Sequence, residues 1–319
     1  MIERLDTPIF DTVTIIGAGL IGSSIARAAQ ASHAAETVRV FDADPDVRQR
    51  AADIGLGNVC DTLERACDGS DVVILCTPVG VIGEVSSACA PYLKSGAILT
   101  DVGSVKAEAA KAMRAAAPVG VHVLPGHPIA GTEHSGPDAG FASLFQGRWC
   151  ILTPPDQMTD EEQVALEKLT TFWEAFGSDV EIMSTERHDL VLAVTSHVPH
   201  LIAYNIVATA DDLERHVTEG EVVKFSAGGF RDFTRIAASD PTMWRDVFLN
   251  NKEAVLEVLA RFTEDLAALQ RAIRWDDGDK LFELFTRARR IRKSVIEAGQ
   301  DTAAPNFGRT TPDGDAPAE

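Results

Sequence analysis

The six residues Gly17-Ala18-Gly19-Leu20-Ile21-Gly22 constrain this chain more than any others. They follow Thr12-Val13-Thr14-Ile15-Ile16, a β-branched apolar run that reads as a buried strand. They precede an alanine-rich stretch, residues 23–31, that reads as a helix. Strand, glycine turn and helix in that order make the βαβ unit that holds a dinucleotide. Gly17 allows the tight turn, Gly19 lets a pyrophosphate approach the backbone beside Leu20 and Ile21, and Gly22 lets helix and strand pack closely. The helix N-terminus then offers free N–H groups and a positive dipole end to the phosphates. A second strand, residues 37–41, ends in Asp42, about twenty residues beyond Gly22, where the ribose-binding acid of such a fold is expected. A carboxylate there accepts hydrogen bonds from both ribose hydroxyls of NAD and repels the 2′-phosphate of NADP. Asp44 is a second acid nearby, and no basic residue replaces the first. Asp42 would also suit the cap of a helix starting near Pro45; the complete glycine turn favours the ribose.

Strand and helix go on alternating. Residues 71–76 (DVVILC) read as a buried strand, stopped by Thr77-Pro78, two further candidates for cofactor contact. Residues 79–93 read as a helix and 97–102 as a strand. Gly103-Ser104-Val105-Lys106 then turns into the alanine-rich helix 107–116, and 119–123 is another strand. Residues 149–153, 160–176 and 179–183 add a strand, a helix and a last strand. The pattern predicts an α/β fold whose N-terminal part, residues 1–183, is a Rossmann-type, mostly parallel doubly wound sheet. Ligands in that architecture bind at the carboxyl ends of the strands.

Two such ends carry reactive side chains. One is Ser104, a candidate for both cofactor binding and catalysis. The other is residues 124–136, LPGHPIAGTEHSG, where Pro125, Pro128, Gly126 and Gly131 argue against a continuing strand or a helix. His127 sits inside that rigid stretch, with Thr132, Glu133, His134 and Ser135 close behind. A loop histidine serves equally well to hydrogen-bond backbone, but its place at the strand ends favours chemistry.

Beyond residue 183 strands disappear and helices take over, giving an all-α second domain over residues 184–300. Ser184-Thr185-Glu186-Arg187 has the polar look of a helix start. The helix runs on through Ser196-His197-Val198-Pro199-His200, where Pro199 frees the carbonyl of Thr195 and should bend it. His197 and His200 share a face. Zinc needs a third ligand, and no HExxH or adjacent carboxylate supplies one, so no metal is expected. His197 reads as a hydrogen-bonded core imidazole and His200 as a ligand contact. In SAGGFRDFTRIAASDPTMW, residues 226–244, apolar surroundings suggest that Arg231 or Arg235 is partly buried and needs a carboxylate. That carboxylate is either the substrate's or an internal one, Asp232 or Asp246. Val255, Leu259, Phe262, Leu266, Leu269 and Ile273 form one apolar stripe; Leu281, Leu284, Ala288, Ile291 and Val295 form another. Two stripes exceed what so small a domain buries alone and suggest helices shared with a second subunit. Residues 301–319, rich in Pro, Gly, Asp and Thr, read as a disordered tail.

Charge and composition narrow the partners. The formal net charge is −19, which disfavours nucleic acid or an anionic membrane surface. No apolar run looks long enough to span a bilayer and no leader pattern opens the chain. The five cysteines contain no CxxC pair and read as reduced core thiols, so a soluble cytoplasmic protein is expected.

With these motifs in line, residues 12–300 resemble the prephenate/arogenate dehydrogenase family of tyrosine biosynthesis. GAGLIGSS is common to many dehydrogenases. DVGSVK, GHPIAGTEHSG, TSHVPH and above all FRDFTRIAASDPTMW are far more specific and stand in the family's order. The resemblance implies NAD as cofactor, prephenate or arogenate as substrate, and a homodimer built through the helical domain. It implies that His127 is the catalytic histidine, bonded to the substrate ring hydroxyl, and that Ser104 orients it. It makes Arg235 the grip on substrate carboxylate. It also sets His200 and Glu133, with the neighbouring Thr132, along the side-chain end of the pocket, and Trp244 near the ring. Some relatives carry an added regulatory or mutase domain; none is expected after the last helix here. Two other readings share part of the pattern. A two-domain 3-hydroxyacid dehydrogenase would have the glycine turn and helical partner but not FRDFTRIA. A non-catalytic NAD-sensing dimer would share everything except turnover.

Overall fold

The computed structural model describes residues 2–132, 134–216 and 224–297. Strand β1 (Phe10–Ile16) leads through α1 (Leu20–Ser32) to β2 (Ala35–Phe41), α2 (Pro45–Asp53), β3 (Asn58–Val59), α3 (Leu63–Cys67) and β4 (Val72–Leu75). Helix α4 (Ile82–Cys89), β5 (Ile98–Asp101), α5 (Ala107–Ala116) and β6 (His122–Val123) complete a six-stranded sheet of order β3-β2-β1-β4-β5-β6. All its pairings are parallel. The order reverses beside β1, so the turns after β1 and β4 open onto the crevice where such sheets bind dinucleotides. The short β3 and α3 leave no periodic trace in the sequence.

Both faces of this sheet are covered, which is why DVVILC lacks polar alternation. Val13, Ile15, Val72 and Ile74 point into one core, with α1 and the rings of Phe145, Phe172, Trp173 and Phe176. Ile16, Val73, Leu75 and Leu99 point into the other, against Ile82, Cys89 and Met113. Four of the five cysteines are buried and none forms a disulfide.

Strands β7 (Gly126–Pro128), β8 (Trp149–Leu152) and β9 (Asp179–Ile182) form a separate three-stranded sheet, β7 antiparallel to β8 and β8 parallel to β9. The expectation of one sheet holding residues 149–153 and 179–183, and of a turn at His127, is corrected here. Apolar runs report that a strand is buried, not which neighbour it pairs with. Gly126–Pro128 can be a strand despite its proline because β7 lies at the sheet edge, with one neighbour to satisfy. Helix α6 (Asp160–Glu174) begins with a capping box between Thr159 and Glu162 and carries Phe172 and Trp173.

The helical part begins with α7 (Thr185–Leu192), where the Ser184 hydroxyl accepts the N–H of Arg187. A π-helical turn, Ala193–His197, joins α7 to α8 (Val198–His216). Pro199 has no N–H for the Thr195 carbonyl, and the wider turn absorbs that loss without ending the helix. The result is a 30-residue run, Thr185–Glu214, of hydropathy 1.5, long and apolar enough by length and composition to cross a bilayer. No such run was expected, because His188, Asp189, His197 and His200 divide it when read linearly. Those polar groups hydrogen-bond within the chain.

Helix α9 (Gly228–Thr234) and a tight turn, Arg235–Ala238, precede α10 (Pro241–Asn250). Asp240 caps α10 onto the Met243 N–H, with Pro241 in the first position, as Ser-Asp-Pro signals. Helices α11 (Lys252–Arg274) and α12 (Gly278–Glu297) follow. The chain divides into compact units of residues 1–258 and 259–319. In the second, Leu266, Ile273, Phe282, Phe285 and Ile291 are exposed. The expected tail, residues 301–319, lies outside the described residues.

Candidate active site

Two glycines close the turn after β1. Gly17 has φ of 104°, and a Cβ there would lie 2.6 Å from the Cys76 carbonyl oxygen; one on Gly22 would lie 1.9 Å from the Gly17 oxygen. Gly19 instead faces open space, and no side chain caps α1. The N–H groups of Leu20 and Ile21, in its first turn, have no partner within the helix. Across the crevice the Thr77 hydroxyl is buried without a protein partner, and Pro78 opens the tight turn Val79–Val81. An open cradle of N–H groups beside an unsatisfied hydroxyl fits a dinucleotide phosphate.

The Asp42 carboxylate accepts the N–H of Ala18 at 2.8 Å and of Asp44 at 3.0 Å, which ties it to the glycine turn. The cap of α2 is Asp44, not Asp42. The fold also brings a base here that the linear sequence did not disclose. Arg48 Nη1 donates to the carbonyls of Asp42 (2.7 Å) and Ala43 (3.1 Å), with its guanidinium over the Phe41 ring. Asp42→Ser would remove the charge that repels a 2′-phosphate and leave Arg48 to attract one. The ratio of kcat/KM for NAD over NADP should then fall by about tenfold or more. Steady-state kinetics with both cofactors checks this; an unchanged ratio would remove Asp42 from cofactor choice.

The second half of the site gathers past β5 and β6. Asp101 and Lys106, both fully buried, form an ion pair. Such a pair is costly unless its other bonding capacity is filled. Here Lys106 Nζ also donates to the Gly126 carbonyl (2.7 Å), and Asp101 accepts the N–H of Gly103 (2.9 Å) and Gly126 (3.3 Å). These bonds fix the start of β7 and so the next residue, His127, which is 9 % exposed.

His127 Nδ1 lies 2.9 Å from His188 Nε2, and His188 Nδ1 lies 2.8 Å from Asp189 Oδ1. Asp189 also accepts the N–H groups of Lys106 (2.8 Å) and Ala107 (2.9 Å) at the start of α5. The direction of the chain follows. A carboxylate that accepts backbone N–H groups takes a hydrogen from His188 Nδ1, so neutral His188 has its lone pair on Nε2. His127 must then donate from Nδ1, which leaves its Nε2 as a free base. Burial, then the nearness of His188, Lys106 and His197, holds the His127 pKa well below the usual histidine range. Burial lowers that of His188 too. The buried His127 ring thus ionises below the ordinary histidine value.

His197 is fully buried, and its Nδ1 accepts from Asn251 Nδ2 (2.9 Å), which also donates to the Asp189 carbonyl (2.8 Å). Burial brings its pKa down to about 4. Ser104, half-buried in the turn before α5, has its backbone against this ring. Trp244 meets His197 edge-on and stacks on His200, ring centroids 3.7 Å apart. His200 Nδ1 donates to the Ser196 carbonyl (2.8 Å), so its Nε2 is an acceptor. Its pKa is lowered by burial first and by nearby Arg235 as well.

Arg235 is exposed at the head of its tight turn. Asp232 and Asp246, the internal partners considered for it, pair with Arg231 and Arg245 instead. Among the described residues Arg235 has no carboxylate partner. The expectation that Arg231 or Arg235 is partly buried is corrected, since both are exposed; Phe233 beside them is itself 46 % exposed, so this segment buries little of its own. Thr132 is exposed, and its hydroxyl accepts the His134 N–H. Glu133 lies outside the described residues.

The fold thus lines up His127, His188, His197, Trp244, His200 and Arg235. Lys106, His188, Asp189 and Asn251 were not singled out from the sequence. A lysine heading an alanine-rich helix reads as solvated surface, and Arg187-His188-Asp189 reads as the polar first turn of a helix. The available signal was the His188-Asp189 pair against the apolar Leu190-Val191-Leu192-Ala193-Val194.

A parallel sheet with a glycine cradle, facing a neutral buried histidine with a free ring nitrogen, defines a nicotinamide-dinucleotide-dependent dehydrogenase. The chain belongs to the prephenate dehydrogenase family. Residues 25–182 match the model of that family's nucleotide-binding domain and residues 184–287 that of its dimerization domain. The chain is 44% identical to the cyclohexadienyl dehydrogenase of Zymomonas mobilis over 90% of its own length and 97% of that protein's. It is 33% identical to the prephenate dehydrogenase of Bacillus subtilis over 93% of its length and 79% of the relative's. Among solved structures, the prephenate dehydrogenase of Aquifex aeolicus in complex with hydroxyphenyl propionate and NAD+ is 33% identical. It superposes with a TM-score of 0.82, covering 89% of this chain and 98% of that one.

Proposed function

We propose that this chain catalyses the NAD-dependent oxidative decarboxylation of prephenate to 4-hydroxyphenylpyruvate, of arogenate to tyrosine, or of both, in tyrosine biosynthesis. The observation that carries this reading is the His127 ring, neutral and buried, with a base at Nε2 set by the hydrogen bonds behind it. Gly17, Gly19, Leu20, Ile21, Gly22, Asp42, Thr77, Pro78 and Ser104 would hold NAD+, which when bound would supply a hydride acceptor. The substrate is a cyclohexadienol bearing a ring carboxylate. His127 accepts the hydroxyl proton as hydride leaves the same carbon, and Ser104 orients the hydroxyl. Loss of CO2 then makes the ring aromatic, so decarboxylation needs no separate acid. Arg235 pairs with substrate carboxylate; His200, Glu133 and Thr132 line the side-chain end, and Trp244 flanks the ring.

Residues 1–183 would serve the dinucleotide and residues 184–300 the substrate and a homodimer interface, with residues 301–319 a tail. The dimer is supported by apolar side chains left exposed on the single chain, among them Leu213, Leu256, Leu266, Phe282 and Phe285. A cytoplasmic setting, without membrane or nucleic acid, is supported by unpaired cysteines and a net charge of −19. A steady-state assay of purified protein and NAD with prephenate, arogenate and a panel of 3-hydroxyacids tests the activity. Turnover of either cyclohexadienol alone is expected; turnover of a 3-hydroxyacid alone, or NAD binding without any turnover, would contradict it.

A further inference from the structure

Both substrates named above end as phenols. The oxygen that gives up its proton during oxidation carries one again in the product, because a phenol ionises only near pH 10. A proton kept close can be handed back to that oxygen without recruiting one from solvent. We infer that His188 and Asp189 are positioning residues that hold His127 in its Nδ1–H tautomer and share the substrate's proton with it until the phenolate oxygen recovers it. The proton-sharing role rests on the activity proposed above.

The transfers balance. The substrate O–H proton passes to His127 Nε2 while hydride leaves the same carbon for NAD+. The hydrogen on His127 Nδ1 shifts across 2.9 Å to His188 Nε2, giving an imidazolium whose Nδ1–H faces Asp189. When the bond to the carboxylate carbon breaks, its electron pair enters the ring and CO2 departs. The oxygen, now phenolate, takes the proton back from His127 Nε2, and the reverse shift restores both rings.

Charge and burial favour this storage. Asp101 and Lys106 offset one another, and the neutral histidines leave Asp189 as the uncompensated charge, countered in part by the N-terminus of α5. One proton on the two imidazoles brings the cluster to neutrality. The other groups facing the pair do not compete for it: burial keeps Cys150 a thiol, and the His197 pKa is down at about 4. The far end is closed, with His188 0 % and Asp189 4 % exposed and both Asp189 oxygens engaged by backbone N–H groups.

Nitrogen-15 spectra of histidine-labelled protein at neutral pH, without substrate, should show His127 and His188 both carrying hydrogen on Nδ1. A His127 protonated on Nε2 would overturn the tautomer assignment, and this reading needs neither variant nor turnover. His188→Gln separates the two roles, since its amide can accept the His127 Nδ1–H but cannot take up a proton. With either substrate and NAD, kcat should fall by about 10²-fold or more while KM stays within about threefold. A folded His188→Gln enzyme with normal kcat would overturn the proton-sharing role. A wild-type enzyme inert toward both substrates would overturn the proposed activity, and with it the sharing, while the spectra still judge the tautomer.

Discussion

His127→Asn protein is expected to bind NAD and substrate nearly as the wild type does and to turn over ~10²–10⁴-fold more slowly. The split follows from where the interaction is made: proton acceptance belongs to the transition state, so its loss appears in kcat and not in KM. The neighbouring structure should survive, because the introduced amide retains a donor toward His188. In the wild type, kcat/KM should rise with pH through one ionisation and then level off. The sign is fixed by the lone pair: protonated His127 has none at Nε2, so activity is lost as pH falls. The midpoint should lie below 6.5, because burial disfavours the charged ring. A His127→Asn variant with near-normal turnover would remove the residue from the mechanism, and an acid limb centred above 6.5 would contradict its buried, neutral state.

Arg235→Gln should raise KM sharply, with a loss in kcat/KM equivalent to about 2–5 kcal/mol if the substrate pair is desolvated. A chain of net charge −19 repels a dicarboxylate at long range, so binding requires a cation at a fixed position. Arginine suits this because its planar fork pairs both carboxylate oxygens at once, and Arg235→Lys should recover only part of the loss. The internal alternative is weakened, because Asp232 and Asp246 are engaged by other arginines. The melting temperature of Arg235→Gln should therefore stay close to wild type. A marked drop in melting temperature with little change in KM would reassign Arg235 to a structural role, and a folded variant with unchanged KM would end the clamp.

The legible part of this fold was the part written in local chemistry. Gly17 and Gly22, between a β-branched run and an alanine-rich helix, stand where a Cβ would strike backbone, and the alternation around them announces a mostly parallel sheet. Ser184 and Asp240 each marked a helix start through a side chain reaching only a few residues onward. What could not be read depended on distant partners. Pairing β7 with β8 joins residues far apart in sequence, and a three-residue strand carries no period. Asp189 meets the start of α5 from more than eighty residues away, and Lys106 is buried because Asp101 and Gly126 meet it there. His127 and His200 stood out because histidine is uncommon and chemically versatile. His188 and Asp189 did not, because polar residues at a helix start have an ordinary explanation.

The most direct test of the oxidative decarboxylation is to count both products in one reaction vessel. Purified protein with NAD and prephenate, and separately with arogenate, should form NADH and CO2 in equal amounts from at least one of the two. NADH without CO2, or neither product from either substrate under conditions where NAD binds, would contradict it.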